Sequence, residues 1–119
     1  MAAHNELGKK GEQIACDFLI KKGYQILEKN YRYLKAEVDI ITQKENILAV
    51  IEVKTRSTAY FGDPQDAVNP KKIKQLLAAI DFYVLEKGLV VEVRFDIIAI
   101  VHHHTKTKIE HLEAAFLYF

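Results

Sequence analysis

Residues 36–56, AEVDIITQKENILAVIEVKTR, carry charges where a buried strand would carry none. Residues 47–53 are an almost continuous apolar run rich in β-branched residues, the pattern of a central strand covered on both faces, yet Glu52 sits inside it. Glu52 and Lys54 are two residues apart and share one face, while Ile51 and Val53 point to the other. Residues 37–43 read as the preceding strand, with Asp39 among Val38, Ile40 and Ile41. If Glu45-Asn46 is the two-residue hairpin loop, with Asn supplying the tolerance for left-handed backbone, Lys44 pairs with Ile47. Counting back then sets Asp39 opposite Glu52. Cβ atoms of opposed residues lie roughly 4.5–5.5 Å apart, close enough for two carboxylates to hold one cation, with Lys54 beside them.

Two carboxylates in near contact on an apolar sheet repel each other and lose hydration. A divalent metal removes both costs. Mg²⁺, or Mn²⁺ in its place, suits a sparse Asp/Glu pair because it keeps positions for water and phosphate oxygens. Lys54 then has a chemical role, holding the attacking water or neutralising charge on the reacting phosphate.

Asp39, a gap of twelve residues and Glu52-Val53-Lys54 resemble the motif of the PD-(D/E)xK nuclease superfamily. Glu-x-Lys alone is ordinarily a solvated ion pair on an amphipathic strand. Here it ends a strand of buried type.

The 119 residues, half of them apolar, suffice for one core, so residues 1–119 are expected to form a single domain. No Pro/Gly/Ser-rich linker or repeat interrupts them. Cys16 is alone, which fits a reducing compartment, and neither a signal peptide nor a membrane-length apolar run is visible. The expectation is a cytoplasmic protein without a membrane partner. Seventeen basic residues nearly balance sixteen acidic ones, a formal charge of +1, so total charge does not mark a nucleic-acid binder. Distribution is more informative. Lys9, Lys10, Arg56, Lys71, Lys72 and Lys74 form either a basic rim that positions a nucleic-acid backbone or several unrelated solvated faces.

The remaining elements follow from local signals. Asn5 is a candidate N-cap for a first helix reaching Lys22, with Gly23 as its stop and Leu7, Ile14, Ala15, Phe18 and Leu19 as its core stripe. Gly8 and Gly11 each cost this helix about 1 kcal/mol relative to Ala, which suggests a close approach by a neighbour or a phosphate. Glu12 lies on the same helical edge as Gly8, Ala15, Cys16 and Leu19. Residues 24–33 read as a strand. Residues 55–69, containing Phe61-Gly62-Asp63-Pro64, are a long irregular segment of the functional-loop kind. Asn69-Pro70 starts a second helix with the stripe Ile73, Leu76, Leu77, Ile80 and Val84, ending at Gly88. Lys71, Lys72 and Lys74 in its first turn oppose the helix dipole, which implies an anion at that end. Residues 90–101 and 106–113 are further strands, the first carrying Arg94 and Asp96. His102-His103-His104 reads as a turn, because consecutive residues of a strand cannot all face one ion.

In this order the chain resembles the bacterial YraN-like family, a nuclease-fold family related to archaeal Holliday-junction resolvases. The matching pieces are Gly8-Lys9-x-Gly11-Glu12, Glu37-Val38-Asp39-Ile40-Ile41, Val50-Ile51-Glu52-Val53-Lys54-Thr55-Arg56, Phe61-Gly62-x-Pro64, Ala67-Val68 with Lys72, and Arg94-Phe95-Asp96-Ile97-Ile98-Ala99-Ile100. Ala36 departs from the glycine usual there. The resemblance implies an α/β, restriction endonuclease-like fold, a central mixed β-sheet flanked by helices. It also implies that Glu12 joins Asp39 and Glu52 as catalytic and metal-binding residues, that Lys54 is the catalytic lysine, and that branched DNA is cut by a homodimer. The apolar ending, residues 115–119, offers a contact for such a dimer or else closes the monomer core. Two other functions fit the same fold: a nucleic-acid-binding module without turnover, and an interaction subunit using residues 116–119.

Overall fold

The computed structural model describes residues 2–57 and 69–115, with side chains from Glu6 onward. The residue 58–68 stretch, with Phe61-Gly62-Asp63-Pro64, and the ending 116–119 lie outside the described residues.

Helix α1 spans Ala2–Lys21 and α2 spans Pro70–Lys87; the strands are β1 Gln25–Tyr33, β2 Ala36–Lys44, β3 Ile47–Arg56, β4 Glu92–His103 and β5 Lys106–Leu112. The strands form one mixed sheet in the order β1-β2-β3-β4-β5. Its neighbours are antiparallel except β3 and β4, which run parallel because α2 carries the chain back between them. This is the α/β architecture expected, a five-stranded mixed sheet flanked by two helices.

The alternation of β3 sets which helix covers which face. Leu48 and Val50 pack with Leu76, Ala79, Ile80 and Tyr83 of α2, while Ala49 and Ile51 pack with Ala15 and Leu19 of α1. Both faces of β3 are therefore dry, as its apolar run requires, and each large side chain so buried contributes about 1.5–3 kcal/mol. Ile73, Leu77 and Val84 of the expected α2 stripe are only half-buried, and Ala79 and Tyr83 go deeper.

The caps of α2 follow its sequence. The Asn69 side chain accepts from the Lys72 amide at 2.8 Å, Pro70 opens the helix, and Gly88 closes it with φ 62°. Helix α1 corrects one expectation, because Asn5 lies inside the helix and does not cap it; Ala2 and Ala3, strong helix formers, extend it towards the N-terminus. The hairpin corrects another. Glu45, not Asn46, takes the left-handed backbone of the loop, with φ 56°. Between β1 and β2 the turn is Leu34-Lys35, with Leu34 at φ 55°, so Ala36 needs no glycine-like conformation. His102 and His103 end β4 and His104 turns the chain with φ 57°.

Candidate active site

The β2–β3 register runs from Lys44–Ile47 to Ile40–Ile51. Asp39 and Glu52 are the next positions along, and there the ladder changes character. The Val53 amide donates to Oδ2 of the Asp39 side chain at 2.8 Å, so the carboxylate takes a place that a backbone carbonyl would fill in a regular ladder. On the other side of β2, Asn30 lies between the pairs Lys29–Ile40 and Tyr31–Val38 and adopts φ 53°. The sheet is irregular at the residue that bears the acid.

Asp39 and Glu52 line a polar cleft of about 630 Å³ at this end of the sheet, under the N-terminus of α2. Lys35, Lys54, Lys71 and Lys72 also line it. Glu52 is 6% exposed and is held by two cations. Lys54 Nζ lies 3.2 Å from its Oε2, as the shared face of residues two apart dictates, and Lys72 Nζ from α2 makes a tight contact with the same oxygen. Burial pushes the Asp39 carboxyl up to about 7, the charge of Glu52 adds to the rise, and the Val53 hydrogen bond opposes it. Glu12 contributes a smaller push through its charge.

Each expected site residue has a definite place. Asp39, Glu52 and Lys54 come together in the cleft, and Lys71 stands on its wall. Glu12 acts on Asp39 by charge but is not on the cleft wall, and among the described residues no three His, Cys, Asp or Glu side chains reach metal-ligand spacing. The three-carboxylate set is thus not preassembled; Asp39 and Glu52 are the pair in place. The sequence assigns Lys72 only to a nucleic-acid backbone, and its ammonium instead contacts Glu52. Lys74 is exposed and off the cleft. Lys9 is exposed, Lys10 meets His102 Nε2 at 3.1 Å, and Arg56 donates to the Thr55 carbonyl at 3.1 Å. His102 follows Val101, the β4 partner of Arg56, so Lys10 and Arg56 share one end of the sheet.

Gly11 carries out the close approach its sequence suggested: a methyl there would run into the side chain of Thr55, the neighbour of Lys54. Gly8 has no such neighbour. Lys35 and Gln75 are cleft residues that sequence reasoning missed. Gln75 follows Lys72 by three residues and shares its helical edge, a signal that was present.

The other charged group in the sheet is closed on itself. Asp96 is fully buried and accepts from Arg94, from the Ala114 amide at 3.0 Å and from His111 at 2.9 Å. Burial alone would raise its carboxyl, but these bonds, led by that from His111, hold it below the usual carboxylate value. With Arg94 also bound to Tyr24 at 2.6 Å, this cluster ties β5 and the residue just before β1 to β4. No helix among the described residues is long and apolar enough to cross a membrane.

The cleft offers oxygen donors of the kind that bind divalent cations. Asp39, half-buried, and Glu52, buried, are hard oxygen ligands in one cleft, with the Asp39 carboxyl pushed up by burial and by the charge of Glu52. Two carboxylates of this kind fit Mg²⁺ or Mn²⁺ once Lys72 yields its place on Glu52.

Comparison with known sequences places the chain among close relatives. The model of the uncharacterised protein family UPF0102 matches residues 11–100. The chain is 61% identical over 119 residues, all of both chains, to a UPF0102 protein of Christiangramia forsetii. It is 56% identical over the same length to one from Flavobacterium psychrophilum. Over 116 residues, 98% of this chain and 96% of the relative, it is 48% identical to one from Phocaeicola vulgatus.

Proposed function

We propose that this chain, which belongs to the UPF0102 family, is a metal-dependent nuclease that hydrolyses phosphodiester bonds of DNA. The observation that carries the reading is the convergence of Asp39, Glu52 and Lys54 in one basic-walled cleft, with the Asp39 carboxyl raised to about 7. A desolvated acid with a strongly shifted pKa beside a specific charge partner in a cleft is a candidate functional site. The resemblance to the PD-(D/E)xK superfamily supports the same assignment on the same residues.

In this mechanism Asp39 and Glu52 would hold Mg²⁺ or Mn²⁺, with the charge of Glu12 acting on Asp39. When bound, the cation polarises the phosphoryl oxygen and neutralises charge developing on it. Lys54 Nζ, fixed by Glu52, orients the attacking water and offsets the growing negative charge on the phosphate. The Val53 amide fixes the Asp39 carboxylate, so that acid enters the reaction in one orientation. Lys71 and Lys35 hold the flanking phosphates. Branched DNA as substrate and a homodimer as the acting species belong to this proposal and rest on the resemblance to junction resolvases. A cytoplasmic location fits the lone Cys16.

A second reading, a nucleic-acid-binding module without turnover, is favoured by one observation: Lys72 supplies Glu52 with a counter-charge that needs no metal. A cleavage assay on linear and branched DNA with Mg²⁺ or Mn²⁺, repeated with Lys54→Ala, decides between them. Metal-dependent cutting lost in the variant supports the nuclease. Tight binding without cutting supports the module.

A further inference from the structure

Leu34 is the odd residue of the sheet. It sits at the tip of the β1–β2 turn with φ 55°, where Gly, Asn or Asp would be comfortable, and its side chain is 86% exposed. Neither backbone geometry nor burial accounts for a leucine there.

A second cavity of about 440 Å³ begins at this tip, lined by Tyr33, Leu34, Lys35, Ala36, Gln75 and Ala78. Its size lies in the range of small-ligand pockets, roughly 300–1,000 Å³. Its wall is mainly apolar, in contrast to the carboxylate cleft. Lys35, Ala36 and Gln75 line both spaces, so the two adjoin. Tyr33 is held by stacking on Phe82, ring centroids 4.7 Å apart and planes 26° from parallel. The polar, lysine-walled cleft thus continues into an apolar slot with an aromatic wall, a cation at the junction and an amide able to donate and accept.

We propose that this slot takes one nucleobase of the nucleotide next to the phosphate in the cleft, unstacked from its neighbours. The inference rests on the nuclease reading and narrows its substrate to nucleic acid that is unpaired, or readily unpaired, beside the cut. A base has the flat apolar face that Tyr33 and Leu34 match and the polar edge that the Gln75 amide reads; Lys35 meets the phosphate that joins base and cleft. Fully stacked duplex cannot fill the slot without the energetic cost of unstacking, so preference for flaps, bulges or junction strands follows.

The test compares binding by full-length Lys54→Ala protein to a linear duplex and to the same duplex carrying a single-stranded flap with 2-aminopurine at its base, at fixed salt. Two further changes are added to it separately. Leu34→Asn keeps a residue suited to left-handed backbone, and Ala78→Trp fills the slot from an exposed helix position. The expected result is a flap preference that falls roughly five- to tenfold in both variants, with duplex affinity unchanged and the rise in 2-aminopurine fluorescence on binding lost. Equal flap preference and an equal fluorescence rise in all three proteins overturn the inference while leaving the nuclease reading intact. Absence of nucleic-acid binding in every protein overturns both. A change in light-scattering mass on Leu34→Asn without any change in flap preference overturns the inference in favour of a contact between copies of the chain.

Discussion

Lys72 of α2 and Glu52 of β3 form a tight ion pair, and the oxygen that Lys72 contacts is the one that Lys54 approaches at 3.2 Å. One acid oxygen thus has two ammonium partners. On the proposed metal-dependent reading, Lys72 and the metal would compete for the same charge. Lys72→Met is therefore expected to lower metal-free stability by about 1–3 kcal/mol, since Glu52 loses one partner while buried. It is expected at the same time to enlarge the stabilisation gained in millimolar Mg²⁺, because the competitor is gone. Thermal melts with EDTA and with Mg²⁺ read both effects; an Mg²⁺ shift no larger than in the parent would remove Lys72 from the metal's position.

The Asp39 carboxyl titrates near 7 in the fold and near the ordinary aspartate value in the unfolded chain. Between these values the native state holds a proton that the unfolded state has released. This group therefore makes metal-free stability fall as pH rises from about 4 to about 7. Asp39→Asn keeps an acceptor for the Val53 amide and removes the titration. Relative to the parent, its unfolding free energy should be similar near pH 4 and higher above pH 7 by on the order of a few kcal/mol. Urea unfolding in EDTA at pH 4.5 and 8 measures the difference. With Mg²⁺ in excess the order should reverse, because only the parent retains both ligands.

Lys54 and Lys71 stand on the same cleft wall but are assigned different work. Lys54→Ala should reduce the cleavage rate by about 10²- to 10³-fold with little loss of DNA affinity, the signature of a group acting on the reacting phosphate. Lys71→Gln with Lys74→Gln should weaken binding and flatten its salt dependence, by about 0.9 in log–log slope for each phosphate that is no longer neutralised. Cleavage by Lys54→Ala at the parent rate would show that the Glu-x-Lys motif is not catalytic here.

The Asp39–Glu52 pair was legible because a hairpin transmits register. Once Glu45-Asn46 is recognised as the loop, strand geometry carries the count to the carboxylates with no tertiary information, and the observed pairs Lys44–Ile47 to Ile40–Ile51 follow it. Which loop residue turns left-handed was not legible, since composition favours Asn46 and the strands select Glu45. The Lys72 contact was half legible. Lysines in the first turn of α2 implied an anion, and for Lys72 that anion is the protein's own Glu52. Finding it requires knowing that α2 begins beside the Glu52 end of β3, which the packing of Leu76, Ala79 and Ile80 on Leu48 and Val50 determines. The Asp96 cluster was hidden for the same reason, since His111 and Ala114 come from far along the chain.

The two glycines of α1 give a paired test of how the helix is seated against the site. Both occupy helical positions, so each carries the same local penalty of about 1 kcal/mol relative to Ala. Their surroundings differ. Around Gly8 an added Cβ meets nothing within 4 Å, so Gly8→Ala should stabilise the protein by roughly that amount. At Gly11 the Cβ would overlap Thr55, including its own Cβ at 2.9 Å, which a rotamer change cannot clear. Gly11→Ala should therefore destabilise by about 1–3 kcal/mol despite its better helix propensity, by forcing α1 away from β3. Glu12, the next residue, would move with it and relax its push on Asp39. Thr55→Gly in the Gly11→Ala background removes the colliding Cβ and should restore part of the stability, although each change alone destabilises. Chemical denaturation of the four proteins measures the coupling. Additive effects at the two positions would mean that α1 does not rest on β3 at Gly11, and that Glu12 owes its place to something else.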